Sequence, residues 1–236
     1  MRAASSAGLL QKLLIAGRPQ LDLCLLTWAS GVMDALSFLR AGVFTANMTG
    51  NTVILGLAIA GPGRSRVYSC MIALAAFALG ALLAGIALVR LRPGQWARDL
   101  KAGLALELPF AAGFSLLWAF SPPQGPFWRE SLLTIAAACS LGIQSVSVRR
   151  LRISGAVTTF ITGTITTAIL SFLERRESGA LPGTEERSAP LLLGGMWLVY
   201  VMAALTGGAL GLARNPLASL SALLPIVAVF LRSLLA

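Results

Sequence analysis

The sequence predicts an all-α integral membrane protein with about six transmembrane helices plus two re-entrant or broken segments, arranged as two inverted repeats. Three observations carry this. Of 236 residues, 56% are hydrophobic and 12% charged, with a mean hydropathy of +0.80; soluble domains sit near 45–50% and 25%. The apolar residues gather into eight runs, each about as long as the ~20 residues that span a bilayer core. Two of those runs carry dense polar blocks at corresponding places in the two halves of the chain.

The elements follow in order. Met1 to Gln20 has an apolar run broken by Lys12 and closed by Arg18, which reads as a cytoplasmic amphipathic lead-in rather than a cleaved signal. Apolar runs then lie at about 21–39, 43–61, 67–89, 102–120, 130–148, 153–173, 190–213 and 216–235. Short Arg, Pro and Gly connections separate them, and the longest, Glu174 to Pro190, is charged enough to read as a solvated loop. Residues 21–120 form the first membrane repeat and 128–236 the second, within one membrane domain.

The runs at 43–61 and 153–173 differ from the rest. Val43 to Val53 places Thr45, Asn47, Thr49, Asn51 and Thr52 around Gly50, and Ser154 to Thr167 places six threonines around Gly163. Without these blocks only about 53–60 and 168–173 remain apolar helix, far short of a ~30 Å core at 1.5 Å per residue. Irregular backbone at membrane depth must be enclosed by protein or line a wet cavity. Gly31 to Ala35 precedes Thr49-Gly50 much as Gly142 to Val146 precedes Thr162-Gly163, an offset of 113 residues between the two Thr-Gly pairs. Interrupted segments at matched places in two halves point to a transporter-type binding site.

Gly31-x-x-Asp34, the block Phe44-Thr45-Ala46-Asn47-Met48-Thr49-Gly50-Asn51, Gly142-x-Gln144 and Thr158-Thr159-x-x-Thr162-Gly163 together resemble the YoaK family of bacterial multi-pass inner-membrane proteins. The resemblance covers nearly the whole chain and implies a membrane location and about six spans. It implies Asn at the position of Ser145, where this chain departs from the pattern.

Composition excludes several chemistries. There is no histidine, so Ser-His-Asp and Cys-His catalysis, the HExxH zinc site and a histidine relay are absent. Cys24, Cys70 and Cys139 lie in apolar runs without CxxC spacing, which suits packing residues rather than a disulfide or metal site. The expectation is no enzyme, no cofactor and no metal. The net charge of +10, from 19 basic and 9 acidic residues, lies in the short connections, a topology signal rather than a nucleic-acid footprint.

Asp34 lies within the first span, where an insertion cost of about 2.5–3.5 kcal/mol makes it face protein or water. It reads equally as an ion or substrate group and as a carboxyl capping the broken segment. Thr45, Asn47, Thr49, Gly50 and Asn51, with Thr158, Thr159, Thr162 and Gly163, are candidates to line a solute path, the alternative being helix-to-helix hydrogen bonds. Gln144 joins them as a path candidate. Glu107, beside Lys101 and Pro109, reads as a snorkelling or ion-paired residue near its span's start. Gly80-x-x-x-Ala84 and Gly207-x-x-x-Gly211 read as close-packing surfaces, Pro225 as a kink, and the arginines 149, 150 and 152 as topology determinants.

The expected function is a transporter or channel-like protein for a small polar solute in the bacterial inner membrane, with both termini cytoplasmic; the lipid bilayer is its surrounding partner. The alternative is a non-transporting scaffold or accessory subunit. Charge decides topology. If all eight runs cross, the 19 basic residues divide almost evenly. If the second and sixth runs are re-entrant, only Arg40, Arg64, Arg66, Arg129 and Arg214 lie outside, and the positive-inside rule selects this second arrangement.

Overall fold

The computed structural model describes residues 19–62, 64–89, 91, 96–121, 125–150, 169 and 184–235. Among them the chain forms α1 (Pro19–Ala41), α2 (Met48–Ala60), α3 (Arg64–Leu88), α4 (Trp96–Phe120), α5 (Phe127–Arg150), α6 (Thr184–Leu212) and α7 (Leu220–Leu235). Five of these helices are long and apolar enough to cross a bilayer. The molecule is an all-α membrane protein, and its burial agrees with that solvent. Leu57, Leu82, Ile86 and Leu205 face outward, while Ser30, Asp34, Asn51, Glu107, Ser140 and Gln144 are buried inside.

Most helices run past the apolar stretches that announced them, because apolarity marks the hydrocarbon depth while helix ends lie in the interface. Thus α4 begins at Trp96 rather than 102, and α6 begins at Thr184, so residues 184–190, expected as loop, are helical. At the other extreme α7 starts at Leu220, four residues late. Arg214, in the left-handed region at φ 55°, ends α6, with the Asn215 amide donating back to Leu210; the Asn215 side chain then accepts from the Leu217 amide.

Glycine contacts give the directions of packing. α1 and α6 run parallel: a Cβ on Gly31 would lie 2.7 Å from the Tyr200 carbonyl, on Gly207 3.0 Å from that of Val32, and on Gly211 2.7 Å from the Leu39 side chain. α3 and α5 are likewise parallel, since Cys139 donates to the Ala76 carbonyl and Arg150, further along α5, to that of Leu91 just past α3; between these Gly80 lies against the Cys139 backbone and Gly142 against the Phe77 carbonyl. The two small-residue motifs are therefore close-packing surfaces, as expected. Cys139 and Cys70 are buried and Cys24 half-buried, all as free thiols.

The remaining contacts are antiparallel. α4 meets α5 through Glu107 and Ser140, α7 meets α1 through Asp22 and Arg232, and Ser115 of α4 exchanges reciprocal 3.4 Å hydroxyl-to-carbonyl bonds with Ser219 just before α7. α1 crosses α5 with Arg40 clamped by two guanidinium nitrogens on Glu130, at 2.9–3.1 Å, and lying over the Trp118 ring of α4. These contacts gather the ends of α1, α4 and α6 with the start of α5 at one end of the bundle. Arg66, at the start of α3, lies there too, against Gly42. At the opposite end are the Asp22–Arg232 pair and Arg150, which donates to the Leu91 carbonyl.

Candidate functional site

Asp34 is the centre of the best-defined polar cluster. It is 2% exposed, seven residues or ~10 Å of helix rise before the end of α1. Its Oδ1 accepts the backbone amides of Thr45 at 2.6 Å and Ala46 at 2.7 Å and the Thr45 hydroxyl at 3.2 Å; its Oδ2 accepts the Tyr200 hydroxyl of α6 at 2.6 Å. The carboxyl thus ties three elements together at membrane depth. Each bond to a charged acceptor is worth about 1.5–3 kcal/mol net. Three of its four hydrogen bonds come from the broken segment, the geometry of a capping carboxyl, and the fourth from α6.

The segment it holds is built locally. Residues 43–47 are not helical, and α2 opens with Asn47 as N-cap, its side chain accepting from the Gly50 amide at 3.1 Å. Asn51 is fully buried and folds back on Phe44, accepting its amide at 2.8 Å and donating to its carbonyl at 2.6 Å. Gly50 is needed by this turn: a Cβ there would lie 3.0 Å from the Phe44 ring and 3.1 Å from the Asn47 amide nitrogen. The apolar remainder of this run begins only at about 53, past Thr49-Gly50. The helix starts one residue before that pair, because the Asn47 cap supplies an acceptor early and the first turn tolerates polar residues.

The polar block therefore has two faces. Thr45 and Asn51 point inward and spend their polar groups within the chain, whereas Asn47, Thr49 and Thr52 are exposed on the first turn of α2. Thr158, Thr159, Thr162 and Gly163, the matched block of the second half, lie outside the described residues.

Gln144 sits elsewhere. It is fully buried on α5, and its amide donates to the Ser30 hydroxyl at 2.9 Å and the Leu26 carbonyl at 3.2 Å of α1. Ser30 is one helical turn before Asp34, so the two polar ties share α1 but not a common cluster. A cleft of about 680 Å³ opens at the Arg40 end, lined by Leu39, Arg40, Trp118, Phe120, Gly211 and Arg214 among others, and its lining does not include Asp34.

Two residues need correction or addition. Glu107 neither snorkels nor pairs with a surface charge; it is fully buried, with Oε1 accepting the Ser140 hydroxyl at 3.1 Å. Leu100, Leu104, Glu107, Ala111, Phe114 and Trp118 are the buried stripe of α4, and position 107 turns inward with that period. Tyr200 was not anticipated. Its signal was its place in mid-span, away from the membrane interface where tyrosines concentrate, since a buried phenol needs a partner.

A family model described as "Protein of unknown function (DUF1275)" matches residues 23–235. The chain is 30% identical over 177 residues to the UPF0700 transmembrane protein YoaK of Bacillus subtilis (strain 168), a match covering 72% of this chain and 77% of that protein. No solved structure matches.

Proposed function

This chain belongs to the DUF1275 family, and from that premise we propose that it is a transporter or channel-like protein for a small polar solute in the bacterial inner membrane. Its several long apolar helices, together with its transmembrane relative, make it a multi-pass membrane protein. The observation that carries the further step is α2, a 13-residue helix of ~20 Å whose lead-in residues Thr45 and Ala46 are pinned to Asp34 inside the bundle while the polar side chains of Asn47 and Thr49 remain exposed. Asn47 caps α2, but an apolar-surfaced protein has no packing need for an exposed hydroxyl such as that of Thr49 at that depth, whereas a solute path does.

In this reading α2 belongs to a re-entrant segment. Support comes from its flanks: Gly42 and Arg66 meet at one end of the bundle. The chain also leaves α5 beside Leu91 and, given the parallel run of α1 and α6, enters α6 at that same end. Six crossings result, with the parallel pair α1–α6 of one orientation matched by α3–α5 of the other. This is the pattern of inverted repeats. Asn47 and Thr49 line the path from the first half; Thr158, Thr159, Thr162 and Gly163, their counterparts by sequence in the second half, lie outside the described residues. Asp34 positions the lining and does not bind the solute.

One observation favours a non-transporting scaffold: both Asp34 oxygens are satisfied within the chain. Uptake into proteoliposomes of a panel of small polar compounds and ions decides between them. Thr49→Val and Thr162→Val are each expected to lower flux of the responsive compound at least about tenfold, the ~1.4 kcal/mol equivalent of one lost polar contact, with unchanged melting. Loss in only one variant removes the pseudo-symmetric path, and no uptake of any compound leaves the scaffold.

A further inference from the structure

We propose that Glu107 is a proton-binding site in the membrane core, taking up and releasing a proton through the hydroxyl and amide groups of α5. It extends beyond the transport reading, because it concerns a different pair of helices and needs no solute.

Glu107 stands seven residues, or ~10 Å of helix rise, inside the apolar part of α4 that begins at Leu100. Its side chain is fully buried; Oε1 has one partner, the Ser140 hydroxyl, and Oε2 has none. An ionised carboxylate left with a bare oxygen in a low-dielectric interior costs several kcal/mol. Among the described residues, the ionisable groups on the neighbouring helices are engaged elsewhere. Cys139 of α5 donates to the Ala76 carbonyl of α3, Arg232 of α7 pairs with Asp22, and Glu130 pairs with Arg40. Arg66 of α3 lies at Gly42, and Arg150 donates to Leu91 at the opposite end. The neutral acid is the form this pocket accommodates, and a purely structural role would be served better by an apolar side chain of that size.

A row of buried polar side chains runs beside it along α5. Ser140, Gln144 and Ser147 succeed one another at helical spacing along α5 and are all buried. Gly103, one turn before Glu107 on α4, lies directly against the Ser147 hydroxyl. From Glu107 this row descends to the end of α5 at Arg149 and Arg150. Hydroxyl and amide groups can pass a proton by exchanging donor and acceptor roles, and intramembrane carboxyls in such rows mark proton relays.

Infrared spectroscopy of the full-length protein in lipid tests this directly. The wild type is expected to show a protonated carboxyl stretch at neutral pH that moves in deuterium oxide, disappears as pH is raised and is missing in Glu107→Gln. Ser140→Ala should raise its frequency, because one hydrogen bond to the carbonyl oxygen is lost. Were Glu107→Gln not to fold, modification of the wild type by dicyclohexylcarbodiimide serves: the acid O–H adds across one C=N bond, its proton going to nitrogen and no group leaving, and the adduct maps to Glu107. A band that ignores both pH and deuterium oxide, a carboxylate already ionised at neutral pH, or an adduct absent from Glu107 would each overturn the proposal. None of these readouts depends on solute flux, so they fail or succeed separately from transport.

Discussion

At the scale of single residues, Asp34 shows how an intramembrane charge is made tolerable: four donors from two other segments converge on it. Replacing the carboxylate by an amide keeps the shape but weakens three charge-assisted bonds and sets an N–H against the Tyr200 hydroxyl. Asp34→Asn is therefore expected to destabilise the protein by about 1–3 kcal/mol, and Tyr200→Phe, which deletes one bond to the carboxylate, by about 1.5–3 kcal/mol. Thermal unfolding in detergent measures both. Equal melting of all three proteins would show that the cluster is not a brace. Asp34 and the block from Thr45 to Asn51 were legible because polar residues stand out against apolar runs. Their partner Tyr200 was hidden 166 residues away, since pairing across a bundle has no local sequence signature. Glu107 was readable in principle from the 3–4 spacing of its helix, but proximity to Lys101 outweighed periodicity in the reading.

At the scale of elements, spans were legible and their ends were not. Seven of the eight apolar runs locate the seven described helices, yet α4 and α6 extend beyond theirs and α2 starts five residues before the expected apolar remainder. Capping by Asn47 and interfacial turns set those limits, and neither depends on hydropathy. Packing was more legible, because small residues four apart mark close backbone approach. Gly31 and Gly142 hold the two parallel helix pairs in corresponding fashion. Gly31→Leu and Gly142→Leu should each cost about 1–3 kcal/mol or more through overpacking against backbone that cannot yield. Gly56→Leu, which adds a side chain to open space, should cost little. Unfolding of the three variants in a denaturing detergent series checks this, and equal sensitivity at all three positions would contradict the packing.

At the scale of the whole molecule, function rests on topology, because exposed Asn47 and Thr49 line a path only if α2 enters and leaves the membrane by one face. Sequence charge already favours that arrangement, and the meeting of Gly42 with Arg66 and of Arg150 with Leu91 agrees with it. Single cysteines in a background lacking Cys24, Cys70 and Cys139 read it out in intact cells. With six crossings and inverted halves, a membrane-impermeant thiol reagent labels Arg64→Cys and Gly125→Cys and spares Arg98→Cys and Arg150→Cys. The reverse pattern, labelling at 98 and 150 with protection at 64 and 125, would mean eight crossings and parallel halves, and would remove the re-entrant path on which transport depends.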